Sequence, residues 1–80
     1  DEPSIHHIKR DPSQQILCLA SDGLWDYLAN EEVADMILNS LSLGHDCNMI
    51  AARLSHCVQA LGGADDLSIM VVNLKEAQLE

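Results

Sequence analysis

The stretch LCLASDGLWDYLANEEV, residues 17–33, decides how this chain is read. An apolar run through Leu17, Cys18, Leu19 and Ala20 halts at Ser21, Asp22 and Gly23. It resumes as Leu24 and Trp25, the chain's one tryptophan, before Asp26. A short, continuously apolar run bounded by turn residues reads as a strand, and its lack of alternation predicts a strand covered on both faces. An aspartate at the end of such a strand either caps the turn that follows or presents a carboxylate at the sheet edge. Taken on composition alone, capping is the commoner role. The tryptophan just beyond supplies bulk that can lock the turn against the helices.

Working outward, residues 4–10 read as a shorter strand, joined to residues 15–20 through the turn cluster Asp11, Pro12, Ser13. The two strands are expected to pair as a hairpin. Asn30 has the character of a helix N-cap, with Glu31 and Glu32 placed where the helix dipole favours negative charge. Val33, Met36, Ile37 and Leu41 then mark one helical face, ending near residues 41–44. Asp46 caps a second helix whose apolar face is Ile50, Leu54, Cys57, Val58 and Leu61. Gly62 and Gly63 stop it, one of them in a left-handed conformation. Residues 67–74 form a last strand. Met36, Met49 and Met70 fall at core positions in this scheme.

The chain has 80 residues, enough for one thin domain, and 48% hydrophobic residues, too many for a disordered tail. Thirteen acids face four bases, a formal charge of -9. Lys9, Arg10, Arg53 and Lys75 do not cluster, so neither nucleic acid nor an anionic membrane surface is an expected partner. The acidic balance suits cations. Three cysteines without CxxC spacing read as reduced thiols in an intracellular protein, cytoplasmic or nuclear. No apolar run approaches the ~20 residues of a membrane span. The opening DEPS carries no basic region of a signal peptide.

The acids then fall into a pattern. Asp22 follows the second strand, and Asp65 and Asp66 precede the last one. If these strands are antiparallel neighbours, the end of one lies beside the start of the other and the carboxylates gather. Carboxylates that close repel unless a cation neutralises them. Oxygen-only ligands suit Mg²⁺, Mn²⁺ or Ca²⁺. Asp26, four residues after Asp22, shares its side of a helical turn.

The string ILCLASDGLWDYLANEEV, the helical stretch Ala51, Ala52, Arg53, Leu54 and the segment GGADDLSIMVVNL at residues 62–74 resemble, in order and spacing, the metal-dependent Ser/Thr protein phosphatases of type 2C. The resemblance runs over roughly residues 5–74. It implies an α/β (α+β) fragment of a β-sandwich flanked by helices, with a β-hairpin, two helices and a final strand. It also implies hydrolysis of phosphoserine and phosphothreonine in phosphoprotein substrates at a binuclear Mg²⁺ or Mn²⁺ centre. Asp22 and Asp65 match ligands of one metal, and Asp26 matches a position that holds a third, weaker metal. Asp66 stands where the family usually has Asn. A carboxylate offers acceptors only, which makes Asp66 a further candidate ligand and leaves the metal stoichiometry open.

The family's Asp-Gly-His motif, a further acidic ligand and the phosphate-holding Arg do not occur in this chain. The resemblance therefore implies that residues 1–80 are a C-terminal portion of the catalytic domain, inactive alone, whose partner is the missing N-terminal part. The uncovered apolar sheet face would let the isolated fragment self-associate. A catalytically dead phosphatase-like module that binds other proteins is the alternative. Other constellations are weaker. Ser21 and Asp22 with His45 or His56 lack the GxSxG elbow of a hydrolase. His6 and His7, adjacent on a strand, point to opposite faces and cannot chelate one ion. Zinc at His45, Asp46 and Cys47 yields to a helix cap at Asp46.

Overall fold

The computed structural model describes residues 3–11, 14–63 and 67–74. In chain order the elements are β1 (Ser4–Asp11), β2 (Gln14–Ala20), α1 (Asp22–Trp25), α2 (Asn30–Ser42), α3 (Cys47–Ala60) and β3 (Ile69–Asn73). The strands make one antiparallel sheet in the order β1-β2-β3. The hairpin and the last strand thus lie where the sequence predicts them. The single turn α1 is an element beyond the two expected helices.

Side-chain alternation sorts the sheet into two faces. The rows Ser4–Ala20–Ile69, His6–Cys18–Val71 and Ile8–Ile16–Asn73 face the helices. Ile8, Ile16, Cys18, Ala20 and Val71 are buried there. They form one core with Leu24 and Leu28, with Val33 and Ile37 of α2, and with Ile50, Leu54 and Val58 of α3. Each such aliphatic side chain contributes about 1.5–3 kcal/mol when fully buried, enough to hold both helices on this face. The other face carries Ile5, Leu19 and Met70 in one row and His7, Leu17 and Val72 in the next. Ile5 is 65% exposed and Met70 57%. The continuous apolar run of β2 therefore has helices on one side only among the described residues, where its pattern predicted cover on both.

The helix ends follow local hydrogen bonding. The N-cap of α2 is Ala29, not Asn30, because Glu32 Oε1 takes the Ala29 N–H at 2.8 Å and starts the helix one residue earlier than expected. Asp46 caps α3 as predicted, its Oδ1 accepting the Met49 N–H at 2.8 Å. Past α3, Gly62 has φ +101°, a conformation that L side chains rarely adopt. Three expected core residues are instead exposed. Leu61 and Met49 lie at the ends of α3, beyond its buried stripe, and Met70 is on the open sheet face. Between the helices, Ser40 is 1% exposed and its hydroxyl accepts a hydrogen bond from Arg53 Nη1. No helix among the described residues is long and apolar enough to cross a membrane.

Candidate metal site

The candidate site is built on the end of β2. Ala20 pairs with Ile69, so the end of β2 adjoins the start of β3, as the reading of the acids required. Ser21 has extended backbone and its hydroxyl accepts the Gly23 N–H at 3.3 Å, which turns the chain into α1. The turn closes with Leu24 N–H donating to Ser21 O at 3.0 Å and Asp26 N–H donating to Asp22 O at 2.8 Å.

Two side chains hold this turn down. Leu24 is fully buried in the core. Trp25 folds back over the strand it follows, and its Nε1–H donates to Ala20 O at 3.0 Å. The indole also stacks on His6 of β1, ring centroids 3.6 Å apart and planes at 14°. With Leu24 and Trp25 turned inward, Asp22 and Asp26 are left exposed one helical turn apart. His6 and His7 lie on opposite faces of the sheet, as strand alternation predicts; His7 is exposed.

The loop after α3 runs against the same turn. Tyr27 Oη donates to Gly62 O at 3.4 Å. A methyl group at Gly63 would lie 3.2 Å from Tyr27 Cε2, and one at Gly23 would lie 2.7 Å from Leu67 Cδ1. Glycine at position 23 gives room to the Leu67 side chain; it does not serve an unusual backbone conformation, since its φ is not positive. Residues 63 and 67 thus bracket the segment carrying Asp65 and Asp66. Those two aspartates, and their expected proximity to Asp22, lie outside the described residues.

Among the described residues no three of His, Cys, Asp and Glu gather into a metal-holding group. What the turn offers is two exposed carboxylates, oxygen donors of the kind that suit hard divalent cations. Arg53 donates to Ser40 between α2 and α3. Cys18 is buried, and desolvation pushes its thiol up to about 11, so it carries no thiolate chemistry. Sequence reasoning missed His6 and Tyr27 as supports of the turn. Alternation separated His6 from His7 but did not say which of the two faces the helices.

Comparison with known proteins bears on the same residues. The family model described as Protein phosphatase 2C matches residues 1–67. The chain is 32% identical over 71 residues to "Probable protein phosphatase 1N" of Mus musculus, covering 89% of this chain and 18% of that protein. It is 29% identical over 72 residues to "Protein phosphatase 1A" of Homo sapiens, covering 89% and 19%. To "Protein phosphatase 2C 77" of Arabidopsis thaliana it is 30% identical over 96 residues, covering 92% and 23%. No solved structure matches. The chain spans about a fifth of the length of these relatives. With the family match extending through both strands of the hairpin, the Asp22 turn and both long helices, the chain belongs to the protein phosphatase 2C family.

Proposed function

We propose that these 80 residues are the C-terminal portion of a protein serine/threonine phosphatase domain and supply one side of its Mg²⁺ or Mn²⁺ centre. The observation that carries this reading is the junction of β2 with β3. Ala20 pairs with Ile69 and Leu67 packs on Gly23, which brings the Asp22 turn beside Leu67 and the start of β3. In this reading Asp22 and Asp65 hold one cation, Asp66 is an additional acceptor, and Asp26 serves a third, weaker site. When bound, the cations neutralise charge developing on the transferred phosphoryl group and lower the pKa of water. The chain's own contribution is to orient the carboxylates. Leu24, Trp25 and Tyr27 fix the turn from which Asp22 and Asp26 project.

The open sheet face fits the same reading. Ile5, Leu17, Leu19, Met70 and Val72 make an apolar surface that the rest of the domain covers as the second layer of a sandwich. Two to four carboxylates are too few to hold Mg²⁺ without further ligands, so the remaining acids and the phosphate-binding group come from that other part. Phosphoproteins are the substrates.

The test is hydrolysis of a phosphothreonine peptide by the full-length protein with Mn²⁺. Asp22→Ala should lower kcat/KM by about a hundredfold or more. The isolated 80 residues should show no turnover. Metal-dependent turnover by the isolated chain, or an unimpaired Asp22→Ala protein, would overturn the proposal. A full-length protein that binds phosphoproteins without hydrolysing them would be the non-catalytic regulator instead.

A further inference from the structure

We propose that His6 is a positioning residue for the metal-binding turn, acting on Asp22 through Trp25; this rests on the metal-site reading above. The helix α1 has only four residues. A single turn cannot hold its own shape, because helix nucleation fixes several residues for one hydrogen bond. Its geometry must come from tertiary contacts. Leu24 anchors one side of it in the core. The other side depends on Trp25, which is partly buried against the core; its hydrogen bond to Ala20 O fixes one atom of the indole and leaves the ring some freedom to tilt.

His6 removes this freedom. Its imidazole lies flat on the indole at 3.6 Å and 14°, so the ring plane of Trp25 is set by a residue of β1. His6 itself is fixed by its strand, where it pairs with Cys18 in the middle of the hairpin. A chain of contacts thus runs from the sheet through His6 and Trp25 into α1, whose first residue is Asp22. Among the described residues His6 joins no metal-holding group, and its contact is with the indole. What the position requires is a flat ring that stacks on the indole.

The experiment uses the full-length protein labelled with ¹⁵N, the Trp25 indole cross-peak being assigned by its loss in Trp25→Phe. Mn²⁺ affinity is measured by calorimetry on the same samples. His6→Ala should move the indole cross-peak, speed exchange of its N–H, and weaken Mn²⁺ binding about fivefold. His6→Phe, which restores a stacking ring, should bring both readouts back, with affinity within about twofold of the parent. If His6→Ala does not fold, His6→Leu replaces it, since it fills the space without a flat ring. A displaced indole with unchanged Mn²⁺ affinity would overturn the positioning role, as would equal losses in His6→Phe and His6→Ala. Asp22→Ala separates the two levels. If it leaves Mn²⁺ affinity intact, the metal-site reading fails and this inference with it. If it abolishes binding while His6→Ala does not, only the role of His6 fails.

Discussion

Gly62 and Gly63 are adjacent, yet the structure gives them opposite reasons to be glycine, and substitution should separate them. At Gly62 an added methyl group meets nothing within 4 Å, but φ is +101°. Alanine there pays only for a backbone conformation it disfavours, about 1–2 kcal/mol. At Gly63 the φ is ordinary and the space is closed. The methyl group would lie 2.2 Å from Val58 Cγ1, 3.0 Å from Val58 O and 3.2 Å from Tyr27 Cε2. Carbon atoms in good contact are about 3.5–4.0 Å apart. Val58 is fully buried and cannot turn away into solvent. Nor can the loop lift off freely, because Gly63 N–H donates to Val58 O at 2.8 Å. Overpacking of this kind costs about 1–3 kcal/mol. Losing the hydrogen bond as the loop retreats adds about 1 kcal/mol, so Gly63→Ala should cost about 3 kcal/mol. Asparagine discriminates more sharply, since it tolerates positive φ better than most residues. Gly62→Asn should be milder than Gly62→Ala, and Gly63→Asn at least as severe as Gly63→Ala. Urea unfolding of the full-length protein reads this as shifts of midpoint at constant m. A Gly63→Ala protein no less stable than Gly62→Ala, or a rescue of position 63 by asparagine, would refute the packing described for this loop.

Four further outcomes are expected. Cys18 should resist alkylation in the native protein while Cys47 and Cys57, which are half-buried, react first; mass spectrometry of partially labelled protein reads the order. Because burial raises the Cys18 thiol from 9.0 to about 11, its contribution to stability is complete below pH 9 and is lost as pH rises through 11; urea midpoints measured from pH 8 to 11 should fall, and a Cys18→Ala background should fall less. Ser40→Ala leaves the Arg53 guanidinium without its acceptor between α2 and α3 and should cost about 1 kcal/mol, since the half-buried arginine can recover part of its hydration; Arg53→Met, which keeps the aliphatic stem, should cost no more. The isolated chain should sediment as an oligomer at micromolar concentration through its open sheet face, and Ile5→Lys with Met70→Lys should return it to monomer; a monomeric parent chain would mean that the face is covered without a partner.

The hairpin, the last strand and both long helices were legible because their signals are local. Apolar periodicity marks Val33 and Ile37 as well as Ile50, Leu54 and Val58, and each of these is buried. The Asp46 cap was equally local. The start of α2 was not, since asparagine at position 30 has the chemistry of a cap but Glu32 reaches back to Ala29 and moves the start. Met70 misled for another reason. A strand residue is sorted inside or outside by alternation, and which face is covered depends on elements far away in the chain. The antiparallel neighbourhood of β2 and β3, which brings the Asp22 turn to the start of the last strand, was anticipated from the placement of the acids. The supports of that turn, His6 on Trp25 and Tyr27 on Gly62, were hidden because they join residues that only the folded topology brings together.

In the proposed phosphatase, Asp22 and Asp65 share a divalent cation. Crystals of the full-length protein grown with Mn²⁺ test it by anomalous diffraction at the manganese edge. A manganese peak is expected with carboxylate oxygens of Asp22 and Asp65 both in its coordination shell, at about 2.0–2.3 Å. Manganese peaks elsewhere, with either carboxylate turned away from them, would contradict it.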